Sequence, residues 1–166
     1  MSFRVRGLDP APFRRYFEMS DAELESLGAR RVIAEEDRGH PCRISLTEAA
    51  VGEELVLVNY EHQAGNTPYR ASHAIYLRRA ADTPFDGVDV VPEVLAARLL
   101  SIRAFDARHM MIDADVVEGA RAAEAFERLL ANPAASYLHV HTAKRGCYAA
   151  RVERLTPAGP GAYRTF

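Results

Sequence analysis

Cysteine is scarce in this chain: Cys42 and Cys147 are the only two in 166 residues. Two thiols cannot build a disulfide framework or an all-cysteine zinc site. An excess of one charge sign is also missing, since 21 basic side chains face 23 acidic ones for a formal net charge of −2. Without a basic surplus there is no electrostatic case for nucleic acid or a membrane surface as a partner. Lysine is almost absent, Lys144 standing alone among scattered arginines. No apolar run approaches the roughly 20 residues of a membrane span. The stretch "MSFRVRGLDP" has charges at alternate positions and no apolar centre, so no signal peptide is expected. The protein is therefore expected to be cytoplasmic, with reduced thiols. Internal repeats, heptads and low-complexity blocks are missing as well.

What is present is ordinary globular material, with 48% hydrophobic residues and a length that suits one domain. Phe3 and Val5 alternate with Arg4 and Arg6, the pattern of a short edge strand. Asp9 can cap a short helix through Phe17. Ser20 and Glu23 form a capping box, with Gly28 as the stop. "ARRVIA" and "CRISL" read as strands, and Arg43 within the latter as a bridge to a nearby acid. Glu54 to His62 is apolar on both faces at its centre, as a central strand is. After the loop "QAGNTPY" comes "RASHAIYLRR", in which His73, Ile75 and Leu77 share a face.

Residues 80–91 read as irregular, and Pro92 opens a short helix through Arg98. "LLSIRAFD" and "MMIDADVV" flank "ARH" as a hairpin. "EGARAAEAFERLLANP" is a helix with Ala122, Phe126, Leu129 and Leu130 on one side. "YLHVHTAKRGCYAARV" then makes a second hairpin. Strands in adjacent pairs with few helices argue against parallel winding. The expected fold is α+β: a largely antiparallel sheet with a few helices packed on one face or at the ends. Residues 1–155 form the domain and 156–166 a Pro/Gly-rich tail.

The last hairpin concentrates the chemistry. Strand alternation puts His139 and His141 on one face, with Leu138, Val140 and Thr142 on the other. A three-residue loop, Lys144 to Gly146, brings Cys147 to the histidine face, where a thiolate with an imidazole base is a candidate nucleophile. A four-residue loop, 143–146, brings Tyr148 and Ala150 there instead and sends Cys147 across; Gly146 suits both. A metal is the other option. Two same-face histidines supply two ligands, and His62, His73, Asp113 and Asp115 are candidates for the rest. No metal set is complete in the sequence, and no cofactor is indicated. The run resembles the histidine-triad nucleotide hydrolases, but Ala143 replaces their third histidine. It also resembles the cupins, but Lys144 and Arg145 stand near their glutamate position.

A second concentration spans Asn59 to Tyr76. Tyr60, His62, Tyr69, Arg70 and His73 gather around one strand–loop–strand connection. Arg70 could clamp a carboxylate or phosphate, or simply pair with Glu61 or Asp113.

Together "PCRISL", "GEELVLVNYEHQ", "PYRASHAIY", "RAFD" and "YLHVHTAKRGCYAARV" resemble a bacterial family catalogued as domain of unknown function 1203. The likeness spans nearly the whole chain. It implies a bacterial, single-domain protein and carries no residue role with it. The functional expectation is a cleft where Tyr60–His73 meets His139–Cys147. That cleft would bind a small anionic molecule through Tyr60, His62, Tyr69, Arg70 and His73. The alternatives are a small enzyme using Cys147–histidine or metal–histidine chemistry with His139 and His141, or a protein-interaction domain. A homodimer could form through the edge strand 3–7.

Overall fold

The computed structural model describes residues 2–155; the Pro/Gly-rich stretch 156–166 lies outside them. Among the described residues nine strands form two antiparallel sheets. β1 (Phe3–Arg6), β5 (Asp86–Val88), β6 (Leu99–Phe105), β7 (Met111–Glu118), β8 (Tyr137–Thr142) and β9 (Tyr148–Arg154) form the larger, in the order β5-β1-β9-β8-β6-β7. The smaller contains β2 (Arg30–Ile33), β3 (Glu54–Gln63) and β4 (Ala71–Arg78), with β3 in the middle. The α+β expectation holds.

Local signals place the helices. Asp9 Oδ1 accepts from the Ala11 amide at 2.9 Å and opens a 3-10 helix, Ala11–Glu18. α1 (Asp21–Ser26) has both halves of its capping box, since Ser20 Oγ accepts from the Glu23 amide and Glu23 accepts from the Ser20 amide. Gly28, at φ +68°, ends it. α2 (Glu93–Ala96) follows Pro92, and α3 (Ala122–Leu130) follows a 3-10 turn, Gly119–Arg121.

The β6–β7 hairpin, α3 and the β8–β9 hairpin form one continuous unit. α3 covers the face of the large sheet that carries Leu100, Ile102, Leu138, Val140 and Val152. Phe126, Leu129 and Leu130 of the helix sink into that layer, and Phe126 meets Phe3 edge-on at 5.3 Å. Each such fully buried side chain contributes about 1.5–3 kcal/mol. A second core lies between β3–β4 and the N-terminal helices, around Phe13, Phe17, Leu24, Val56, Val58, Ile75 and Leu77.

Three expectations are corrected. β1 is not an edge strand: it pairs with β5 on one side and β9 on the other, so it offers no free edge to a second copy. Its partner β5 arises within the stretch read as irregular, because three residues paired to a buried neighbour need no hydrophobic pattern of their own. "CRISL" is a turn whose Cys42 makes one isolated parallel bridge to Tyr76.

Candidate metal centre between the sheets

β8 is buried along both faces from Tyr137 to His141. Leu138 and Val140 face α3, so His139 and His141 face the other way, toward the three-stranded sheet. Directly across from His139 stand Arg103 on β6 and Arg151 on β9; across from His141 stand Ser101 and Tyr148.

The hairpin turn decides what joins them. Thr142 donates its amide to the Cys147 carbonyl at 2.9 Å, and the Gly146 amide donates to Thr142 O at 2.8 Å. Gly146 takes φ +72°, and residues 143–146 form a four-residue loop. Tyr148 therefore joins the histidine face. Ala149 is then an extra residue, since Ala150 pairs with Val140 and Arg151 with His139. This bulge flips the parity expected for Ala150, which enters the α3 core, and delivers Arg151 to the histidine side instead. Cys147 points to the opposite face, so the structure does not bring the thiol to His139 or His141.

The third imidazole comes from the other sheet. Tyr60 and His62 follow Val56 and Val58 on one face of β3, and Tyr60 still meets Phe13 of the 3-10 helix edge-on at 5.8 Å. The His62 ring lies 4.9 Å from that of His141 and 5.6 Å from that of His139, centroid to centroid. It stacks on Tyr148 at 5.1 Å, 7° from parallel. Tyr60 approaches Tyr148 at 5.9 Å. Among the described residues, one nitrogen from each of His62, His139 and His141 forms a donor group with all members within 4.8 Å of one another.

The environment fixes the state of these rings. Burial pushes His139 down to about 2, His141 to about 3 and His62 to about 4, against an ordinary 6.5, so all three are neutral at pH 7. His141 Nδ1 lies 2.9 Å from the Gly146 carbonyl. A carbonyl can only accept, so Nδ1 carries the proton and Nε2 keeps its lone pair. That Nε2 is buried without a hydrogen-bond partner, as are Nδ1 of His62, of His139 and of His73.

Other residues singled out in the sequence take different places. His73 flanks the centre, pairing with Tyr60 across β3–β4 and approaching the Gly146 turn, outside the donor group. Tyr69 is exposed and meets Phe105 at 6.3 Å. Arg70 is exposed and ion-paired to Glu61, so it does not enter the centre. Asp115 pairs with Arg128 at the surface and Asp113 folds back on the Ala114 amide, so neither joins the donors.

Four residues around the centre were not anticipated: Arg103, Tyr137, Gln63 and His109. Arg103 is half-buried, and its side chain makes no hydrogen bond or ion pair among the described residues. Burial lowers its pKa, and its charge bears on all three imidazoles. Tyr137 receives the Gln63 amide at 2.8 Å and meets His109 Nδ1 at 2.8 Å. Each belongs to a strand or turn recognised in the sequence, but only the pairing of β6 with β8 and the approach of β3 bring them here.

Two antiparallel sheets closed over a cluster of neutral imidazoles define an α+β protein with a buried histidine centre. The family profile described as "Protein of unknown function (DUF1203)" matches residues 39–154. The chain belongs to that family, and the matched stretch contains every residue of the centre. No curated protein and no solved structure matches the chain.

Proposed function

We propose that this chain is a metal-binding protein, in which His62, His139 and His141 hold one divalent transition ion and an anionic small molecule reaches its open position. Two observations carry this reading: one nitrogen from each of the three rings lies within 4.8 Å of the others, and each of the same rings has a buried nitrogen with no partner. An unsatisfied buried polar atom costs about 1–3 kcal/mol, and several in one place are a burden that a shared ion removes. Neutral imidazole is the form that ligates, and nitrogens on one tetrahedral ion stand roughly 3.3 Å apart at metal–nitrogen distances near 2.0–2.1 Å.

Three histidines with no fourth protein donor among the described residues match the pattern of zinc sites that keep a position for water or substrate. Zinc is the first expectation, with other imidazole-preferring ions such as copper, nickel or iron behind it. Such an ion polarises a bound oxygen or lowers the pKa of a bound water to about 7. The Gly146 carbonyl orients His141 as outer-shell partners of metal-bound histidines do. Arg103 takes the anion-holding role expected of Arg70, because it is a cation beside the imidazoles with no carboxylate of its own.

The experiment is a titration of chelator-stripped protein with Zn(II) or Co(II), read by competition with a chromophoric chelator. One equivalent is expected, with affinity falling more than about 100-fold in His62→Asn, since outer-shell losses alone cost about 10–100-fold. Folded wild-type protein that takes up no stoichiometric ion overturns the proposal.

A further inference from the structure

Beside the β8–β9 turn, on the side of Cys147, a cleft of about 520 Å³ opens. Small-molecule sites run to roughly 300–1,000 Å³. Among the described residues, four cations line it, Arg43, Arg98, Lys144 and Arg145, and no carboxylate does. Leu57, Leu99 and the Tyr76 ring supply an apolar wall.

Arg43 is the unusual member. Only 3% of it is exposed. Its Nε donates to the Tyr148 carbonyl at 2.8 Å and its Nη1 to the Pro41 carbonyl. It was expected to bridge to an acid, yet among the described residues no carboxylate pairs with it. Glu48, the carboxylate whose charge acts on it, is engaged by Arg98. Burial lowers the guanidinium to about 10, which still leaves it charged at pH 7. A buried cation without a counter-ion costs several kcal/mol. Two carbonyl dipoles offset part of that, and an anion entering the cleft would offset the rest. Lys144 and Arg145 stand exposed at the rim with no ion pair among the described residues, placed to draw an anion in.

We infer that this cleft is a binding site for a small organic anion, with a carboxylate or phosphate headgroup on Arg43, Lys144 and Arg145 and an apolar body against Leu57, Leu99 and Tyr76. The site is independent of the metal reading. It uses the other face of the hairpin and none of the proposed ligands. It also assigns the Lys-Arg turn, which the histidine centre does not use.

Cys147 lines the same cleft and reports on it, since Cys42 is fully buried. The test is run on chelator-treated, metal-free protein, so its outcome does not depend on the histidine centre. Iodoacetamide alkylation of Cys147 is timed against benzoate, phenyl phosphate and inorganic phosphate, with calorimetry in parallel. Saturable slowing of at least fivefold is expected from benzoate or phenyl phosphate, and the tighter of the two identifies the headgroup. Inorganic phosphate is expected to bind at least tenfold more weakly than phenyl phosphate. The double variant Lys144→Gln/Arg145→Gln, exposed and free of core contacts, is expected to weaken binding about tenfold with an unchanged melting temperature. Arg43→Gln is expected to abolish it, but is buried enough to disturb folding, so the rim variant is the arbiter. No protection by 10 mM of either organic probe overturns the inference, as does undiminished binding in the rim variant. Equal binding of inorganic phosphate and phenyl phosphate reduces the site to an adventitious ion only.

Discussion

His141 Nδ1 sits 2.9 Å from the carbonyl oxygen of Gly146, five residues further along the same hairpin. The bond makes the turn part of the centre. A four-residue loop with Gly146 at φ +72° presents that carbonyl and sends Tyr148 to the imidazole face. Loop geometry, tautomer and aromatic wall are thus one structural decision. The cost of the arrangement is several buried nitrogens without partners, which is what an ion would satisfy.

Gly146→Ala tests that coupling. A Cβ here meets only His73 Nε2, at an ordinary 3.7 Å, so the penalty is conformational and not a clash. Placing a Cβ at positive φ is expected to cost about 1 kcal/mol or more. If the carbonyl turns away, zinc affinity falls by about 10–100-fold, the effect of losing an outer-shell partner. Urea denaturation and the chelator competition check the two halves. A variant that matches the wild type in both removes the carbonyl from the account.

Acid should unfold the metal-free protein early. The buried histidines titrate far below their ordinary 6.5, so the unfolded chain binds their protons first as pH falls. Their contribution to stability is whole above pH 6.5 and is lost progressively below it, toward their folded values near 3 and 2. The slope is about 1.4 kcal/mol per pH unit for each group. Two such groups consume a typical margin of about 5–15 kcal/mol within a few pH units. Depressed carboxylates such as Glu53 and Asp106 act only lower, since their ordinary values are 4.5 and 3.8. Between pH 6.5 and 4.5 the loss therefore belongs to imidazole. Denaturant midpoints across that window measure it, and a flat profile contradicts the burial argument.

Strand parity was legible in the sequence: Leu138 and Val140 had to point at a core, and His139 and His141 away from it. So were the capping box at Ser20 and the hairpin–helix–hairpin order. The loop length was not, because Gly146 fits either register, and Ala149 gives no sign that it is a bulge. A single inserted residue therefore exchanged Ala150 for Arg151 on the histidine face. The meeting of His62 with β8 is a contact between sheets far apart in sequence, and no periodicity within either segment encodes it. Arg70 and Arg103 show the same limit. Both are arginines at or within a strand recognised in the sequence, and only tertiary placement gives Glu61 to one and leaves the other unpaired among the described residues.

The Tyr137 hydroxyl ties three elements together. It accepts from Gln63 of β3 and meets His109 of the β6–β7 turn, each at 2.8 Å, and both Gln63 and Tyr137 are buried. Tyr137→Phe keeps the ring that stacks on Phe105 and lies against His139, but strands the Gln63 amide. A loss of about 1–3 kcal/mol is expected in urea denaturation. One equivalent of zinc should still bind, because no ligand is touched. Stability within about 0.5 kcal/mol of wild type means that water replaces the hydroxyl.

The choice between Arg103 and Arg70 as anion partner can be read directly. Cobalt-loaded protein has a visible spectrum that responds to an anion such as azide at the open position. Arg103 stands across from His139, half-buried and without a carboxylate, so its charge acts where the dielectric is low. Arg103→Gln is expected to weaken azide about tenfold while cobalt stays bound. Arg70 is exposed and already satisfied by Glu61, a surface pair worth about 0–1 kcal/mol. Arg70→Gln should leave both the azide titration and the melting temperature unchanged. The reverse pattern, with azide binding lost in Arg70→Gln and kept in Arg103→Gln, would mean that the 64–70 connection closes over the centre when it is loaded, and Arg103 would lose the role assigned to it.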